Sequence, residues 1–128
     1  MQERSDSRSA VRLKINIDAR IFLCAPEETF TAKPFAGQIS DVSPTGIGVI
    51  LPKIERSLFQ FLIHGKRLAL VVVRLPDDDV DIRLFGQVAW IDYHGTEEPA
   101  FVRLGISLEN ATEKTSEDIQ RLLNSSMV

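Results

Sequence analysis

The stretch Leu13-Lys-Ile-Asn-Ile-Asp-Ala-Arg-Ile-Phe-Leu-Cys24 alternates strictly: Leu13, Ile15, Ile17, Ala19, Ile21 and Leu23 are apolar, and Lys14, Asn16, Asp18 and Arg20 between them are polar or charged. A period of two puts the apolar set on one side of a pleated backbone, so this is a half-buried strand. Outward from it, residues 24–33 (CAPEETFTAK) are rich in turn formers and charge, and Phe35 to Ser40 regains strand character as a hairpin-like return. Asp41-Val-Ser-Pro-Thr-Gly46 is a dense turn signal, followed by the strand-like Ile47 to Leu51, which ends at Pro52. Ile54, Leu58, Phe61 and Leu62 sit at helical spacing before Gly65, which predicts a short helical or irregular crossover over 54–64. Leu68 to Leu75 is apolar enough for a strand buried on both faces, and a turn follows at Pro76-Asp-Asp-Asp79. Val80, Ile82, Leu84, Gly86, Val88 and Trp90 then predict a long second strand, 92–99 a polar connection, and Ala100 to Leu108 another strand. Thr115 and Asp118 match an S/T-x-x-D/E cap, with Ile119, Leu122, Leu123 and Met127 on one face behind it, so a helix is expected over about 115–126. Five or six short strands and one terminal helix make a small antiparallel barrel or sandwich.

Composition narrows the function. At 128 residues and 44% hydrophobic content the chain is one domain with material for one core. Its formal net charge of −3 argues against a protein that coats duplex nucleic acid, which needs an overall basic surface. The longest strictly apolar run, Leu68 to Val73, is far short of the ~20 residues a membrane helix needs, so no membrane insertion and no export segment is expected. Cys24 is the only cysteine. No intramolecular disulfide can form, a Cys-rich zinc site is excluded, and a cytoplasmic setting is expected.

Residues 1–12 (MQERSDSRSAVR) differ from the rest, holding three arginines, three serines and almost nothing for a core. They read as a mobile arm, separate from a body at 13–128. Arg4, Arg8 and Arg12 recur every fourth residue; a solvated tail explains this, and so does a binding arm whose guanidinium forks grip phosphates and the O6/N7 edge of guanine. Asp41, Ser43 and Gly46 equally suit an ordinary hairpin connection. The conjunction weighs more: an arginine arm ends at Arg12, a strand begins at Leu13, and D-x-S-x-x-G lies between two strands about thirty residues on.

In this conjunction the sequence resembles the PilZ domain family, bacterial receptors for the second messenger cyclic di-GMP. Arg8-Ser-Ala-Val-Arg12 matches the family's R-x-x-x-R, and Asp41-Val-Ser-Pro-Thr-Gly46 its D/N-x-S-x-x-G. Gly86-Gln-Val-Ala-Trp90 is similar to its G-x-V-x-W strand, and Leu104-Gly105-Ile-Ser-Leu108 to its final L-G strand. The resemblance implies a six-stranded antiparallel β-barrel with a C-terminal helix and a flexible N-terminal arm that folds over the ligand. It implies that Arg8 and Arg12 contact phosphates and guanine edges and that Asp41 accepts from guanine N1–H and the amino group or orients an arginine. Ser43 would add a hydroxyl contact, and Gly46 would permit close backbone approach. Arg4 and Arg8 also form R-x-x-x-R; the pair Arg8 and Arg12 is preferred because Arg12 abuts the first strand, which leaves Arg4 an auxiliary contact or a spectator. Trp90 is by default a packing residue, yet in some relatives this tryptophan lies beside a guanine. Arg103 reads as an exposed strand arginine that points toward the same region at most.

The implied function is a non-enzymatic cyclic di-GMP receptor, without cofactor, whose ligand orders the arm and alters contact with a downstream protein partner. The alternative is a ligand-independent PilZ-like adaptor acting by protein–protein interaction alone. Asp77-x-Asp79-x-Asp81 starts like a calcium loop but has Ile82 and Val88 where Gly and Glu are needed. His64, Asp92 and His94 lack the further ligand or nucleophile that a metal or catalytic site requires. Cys24 is expected as a small packing residue at a strand end.

Overall fold

A computed structural model of the chain describes residues 12–25, 34–52, 60, 62, 67–75, 81–96, 100–108 and 112–126. Among the described residues, six strands and a C-terminal helix follow in order: β1 (Leu13–Cys24), β2 (Phe35–Ser43), β3 (Gly46–Pro52), β4 (Leu68–Val73), β5 (Ile82–His94), β6 (Phe101–Ser107) and α1 (Glu113–Ser126). Every strand pairing is antiparallel, and the sheet closes on itself in the order β1-β2-β3-β6-β5-β4. The expected six-stranded barrel with a C-terminal helix is therefore the fold. The arginine arm over residues 1–11, with Arg4 and Arg8, lies outside the described residues, as do His64, Asp77, Asp79 and Met127. Of the 54–64 crossover only Gln60 and Leu62 are described, and Leu62 is buried in the core.

Alternation fills the barrel. Ala19, Ile21 and Leu23 of β1, Val71 and Val73 of β4, Ile82 and Leu84 of β5, and Val102, Leu104 and Ile106 of β6 point inward and are buried. Fully burying such a side chain stabilises by about 1.5–3 kcal/mol. Cys24 is buried at the end of β1, as a packing residue should be. Leu13, at the opposite end, is exposed because β4 reaches only Arg20–Cys24 of β1. There α1 packs on β1, and Ile119 and Leu122 complete the core.

Two β-bulges decide which side chains of β2 and β5 face outward, because an extra residue in one strand reverses the alternation beyond it, and a third register shift lies between Lys14 and Ile17 of β1. In β2, Ile39 opposes Val49 and Asp41 opposes Gly48, so Ser40 is the extra residue. Ile39 and Val42, three residues apart, both enter the core, and Asp41 turns outward. In β5, Val88 opposes Ile106 and Trp90 opposes Gly105, so Ala89 is the extra residue. Val88 and Ile91 pack on the core, and Trp90 turns outward, 40% exposed.

β4 ends at Val73 rather than at Leu75, and three further boundaries differ from the sequence expectation. The Asp41–Gly46 turn shrinks to Pro44-Thr45, because Asp41, Val42 and Ser43 continue β2 and pair with β3. The polar residues Asp92 to His94 belong to β5 and oppose Arg103, Val102 and Phe101; polarity does not end a strand whose side chains alternate toward solvent. The helix begins at Glu113, capped by Thr112, whose Oγ1 accepts from the Thr115 N–H at 3.2 Å. Asp118 lies within the helix, buried, and accepts from Lys114 Nζ at 2.8 Å and Arg121 Nη1 at 3.3 Å.

Candidate functional site

The bulges place one row of residues side by side across five strands of the outer face. Lys14 of β1 opposes Asp41 of β2, Asp41 opposes Gly48 of β3, Gly48 opposes Gly105 of β6, and Gly105 opposes Trp90 of β5. Asp41 and Trp90 stand three strand spacings apart, about 14 Å between backbones, with only glycines between them. Both side chains lean inward over that floor. A β-carbon at Gly48 would lie 2.6 Å from Asp41 Oδ2, and one at Gly105 would lie 2.1 Å from the Trp90 indole. The glycines are needed sterically, since any larger residue displaces the group resting on it.

Asp41 is the electrostatic centre. It is buried, its Oδ1 accepts from Arg12 Nη1, and its Oδ2 accepts from Ser40 Oγ at 3.3 Å. Arg103 approaches the same Oδ2 to 3.9 Å, while its guanidinium carbon lies 5.9 Å from the centroid of a Trp90 ring. A carboxylate, two guanidinium groups and an exposed indole thus surround a bare strip of sheet. That set supplies donors, an acceptor and a stacking face, which is what an anionic ligand with planar bases requires. Ser43 and Gly46 sit at the end of the same strands with partners inside the protein. Ser43 Oγ donates to the Gly46 carbonyl at 3.2 Å, closing the Pro44-Thr45 turn, and a β-carbon at Gly46 would lie 2.8 Å from the Ile106 carbonyl oxygen.

The other sequence candidates separate from this centre. Asp92 opposes Arg103 in register, but its Oδ2 accepts from His94 Nε2 at 2.9 Å, and His94 stacks on Phe101 at 4.4 Å. Among the described residues no group of three His, Cys, Asp or Glu side chains is gathered to hold a metal ion. Asp81 accepts from Arg74 Nε at 2.9 Å and Arg20 Nη2 at 3.2 Å. Its carboxyl is held below the ordinary 3.8 chiefly by the Arg74 hydrogen bond, with the positive charges of Arg74, Arg20 and Arg83 adding to it against partial desolvation.

The PilZ domain family model matches residues 3–125. The chain belongs to the PilZ domain family. PilZ domains are non-catalytic cyclic di-GMP-binding domains. Among solved structures, this PilZ domain is similar to the PilZ domain of YcgR from Escherichia coli with c-di-GMP: 13% identity, TM-score 0.64, covering 95% of this chain and 92% of that one. It is similar to the inhibitor of motility MotI/DgrA from Bacillus subtilis, at 18% identity and TM-score 0.54 over 95% of this chain and 54% of that one. PlzA from Borreliella burgdorferi in complex with c-di-GMP matches at 10% identity and TM-score 0.56 over 88% of this chain and 50% of that one. The chain spans about half the length of MotI and PlzA. At these identities the likeness is one of fold. No curated protein matches it in sequence. Among the described residues no helix is long and apolar enough to cross a membrane.

Gly48 and the placement of Lys14 escaped the sequence reading, and Gly105 entered it only as part of a strand motif. A glycine within an apolar strand is the one local signal of close approach, and the partner it approaches comes from a distant strand.

Proposed function

We propose that this PilZ domain is a receptor for cyclic di-GMP in which the ligand orders the N-terminal arm over the barrel and alters contact with a partner protein. The observation that carries the reading is the Asp41 carboxylate paired with Arg12 where β1 begins, facing Trp90 across the Gly48–Gly105 strip. Arg12 is the last residue of the arm and is half-exposed, so its remaining donors stay open to a phosphate or a guanine O6/N7 edge. Asp41 accepts from guanine N1–H and the 2-amino group or fixes Arg12, and Arg8 supplies the second guanidinium. Ser43 and Gly46 serve by closing the turn that holds Asp41. Trp90 offers a face on which a base stacks. MotI is described as an inhibitor of motility, and the c-di-GMP seen with YcgR and PlzA is of the same ligand class. Ordering the arm reduces the observed affinity relative to a preformed pocket and creates a surface that a partner reads, in a cytoplasmic setting.

The test is isothermal titration of the full chain with cyclic di-GMP beside Arg12→Ala, Asp41→Ala and Arg4→Ala, each checked for folding. Binding by wild type and Arg4→Ala that is lost in the other two supports the receptor and the Arg8/Arg12 register. No heat and no competition in a second assay leaves the ligand-independent adaptor.

A further inference from the structure

We infer that Arg103 is a specificity-determining residue of this site, reading the N7/O6 edge of a guanine whose face rests on Trp90. The inference deepens the cyclic di-GMP reading and rests on it. Arg103 lies on β6 two residues before Gly105, on the same outward face, so its side chain borders the glycine strip. Its cross-strand neighbour Asp92 pairs with His94, and no ion pair joins it to Arg103 among the described residues. The guanidinium instead leans toward the site, 5.9 Å from the Trp90 ring and 3.9 Å from Asp41 Oδ2. The second distance exceeds hydrogen-bonding reach. Among the described residues, the Arg103 guanidinium is therefore held by two soft attractions and no hydrogen bond, with its donor fork uncommitted.

This is an unusual state for an arginine that is only 40% exposed, and it has a chemical meaning. An indole face covered by a guanidinium is a stacking bed with a cation in place of a base. A purine entering the strip takes the indole face, and the guanidinium needs to move only to the rim of the base to stay attracted to both. At the rim its two parallel N–H donors match the two acceptors of guanine, O6 and N7, whereas adenine presents an amino donor in place of O6. Asp41, on the far side of the strip, matches the opposite N1–H and amino edge. Guanine is thus gripped on two edges by groups of opposite charge, and a wall of the barrel contributes to base selection independently of the arm.

The experiment uses the full chain, with cyclic di-GMP and its 7-deazaguanine analogue as probes. The analogue keeps the edge that Asp41 reads and removes the N7 acceptor. Wild type is expected to bind the analogue about 5- to 100-fold more weakly than cyclic di-GMP, the range of one guanine edge contact. Arg103→Met, which keeps an unbranched apolar stem and removes the fork, is expected to bind cyclic di-GMP more weakly and to show less than about a threefold difference between the two probes. Should Arg103→Met bind too weakly to measure, the same comparison is made at low ionic strength, where the phosphate contacts tighten binding of both probes. Trp90 is the only tryptophan, so its emission without ligand reports whether removing the guanidinium uncovers the indole. An equal penalty for the analogue in wild type and in the folded variants overturns the role of Arg103 and leaves the receptor standing. A wild type that binds neither probe overturns the receptor reading itself, and this inference with it.

Discussion

The indole of Trp90 rests on Gly105: a β-carbon at residue 105 would lie 2.1 Å from indole Cε2 and Nε1. The Gly105→Ala variant must therefore lift the indole off the sheet. Trp90 is 40% exposed and has open solvent to move into, so the stability cost stays below about 2 kcal/mol. Its fluorescence spectrum shifts, and affinity for cyclic di-GMP falls about 10-fold with the loss of a positioned stacking face. An unchanged emission spectrum in Gly105→Ala would show that the indole does not depend on this glycine.

Gly48→Ala acts on the other end of the strip, where the added methyl meets the Asp41 carboxylate at 2.6 Å. It separates Asp41 from Arg12 and weakens ligand binding as Asp41→Ala does, while thermal stability changes little because Arg12 is half-exposed and such a pair contributes at most about 1 kcal/mol. Calorimetric titration together with thermal melts distinguishes this from general unfolding.

Ser43 and Gly46 are expected to behave differently from Arg12 and Asp41. Ser43→Ala removes a buried hydrogen bond to the Gly46 carbonyl and costs about 1 kcal/mol. Gly46→Ala drives a methyl against the Ile106 carbonyl oxygen and costs about 1–3 kcal/mol. Urea unfolding measures both, and a Gly46→Ala variant as stable as wild type would contradict the close approach of β3 to β6.

Among the described residues, Asp81 contributes to the acid dependence of stability. Asp81 has its carboxyl held below the ordinary value in the folded state, first by the Arg74 hydrogen bond. Its contribution is present above the unfolded value of 3.8 and is lost as pH falls through the lower folded value. Asp81→Asn should flatten the decline in stability below pH 3.8. Melting curves against pH that run parallel for variant and wild type would contradict this.

Much of the fold is legible in β1, where the strict alternation from Leu13 to Leu23 survives into the burial gradient along the barrel wall. The same rule misleads at Trp90. Counted by twos from Ile82, Leu84, Gly86 and Val88, it belongs inside, and only the extra residue Ala89 turns it out. Asp41 carries the same lesson, since Ile39 and Asp41 would share a face without the bulge at Ser40. A bulge is set by pairing with another strand, and nothing local in Ser40 or Ala89 announces it. Within the candidate site, Arg12 and Asp41, which residue type and motif single out in the sequence, are paired in the structure. The site was not legible at Arg103, whose direction toward Trp90 and Asp41 is set by tertiary placement, nor at Gly48 and Gly105, where a β-carbon would meet side chains from distant strands.

The central claim, that cyclic di-GMP is held between the arginine arm and the barrel wall, is tested most directly by limited trypsin digestion followed by mass spectrometry. Cleavage after Arg8 and after Arg12 is timed with and without saturating cyclic di-GMP. The account predicts that the ligand slows both cleavages strongly in wild type and leaves them unchanged in Asp41→Ala. Equal cleavage rates at Arg8 and Arg12 with and without ligand in the wild type would contradict it.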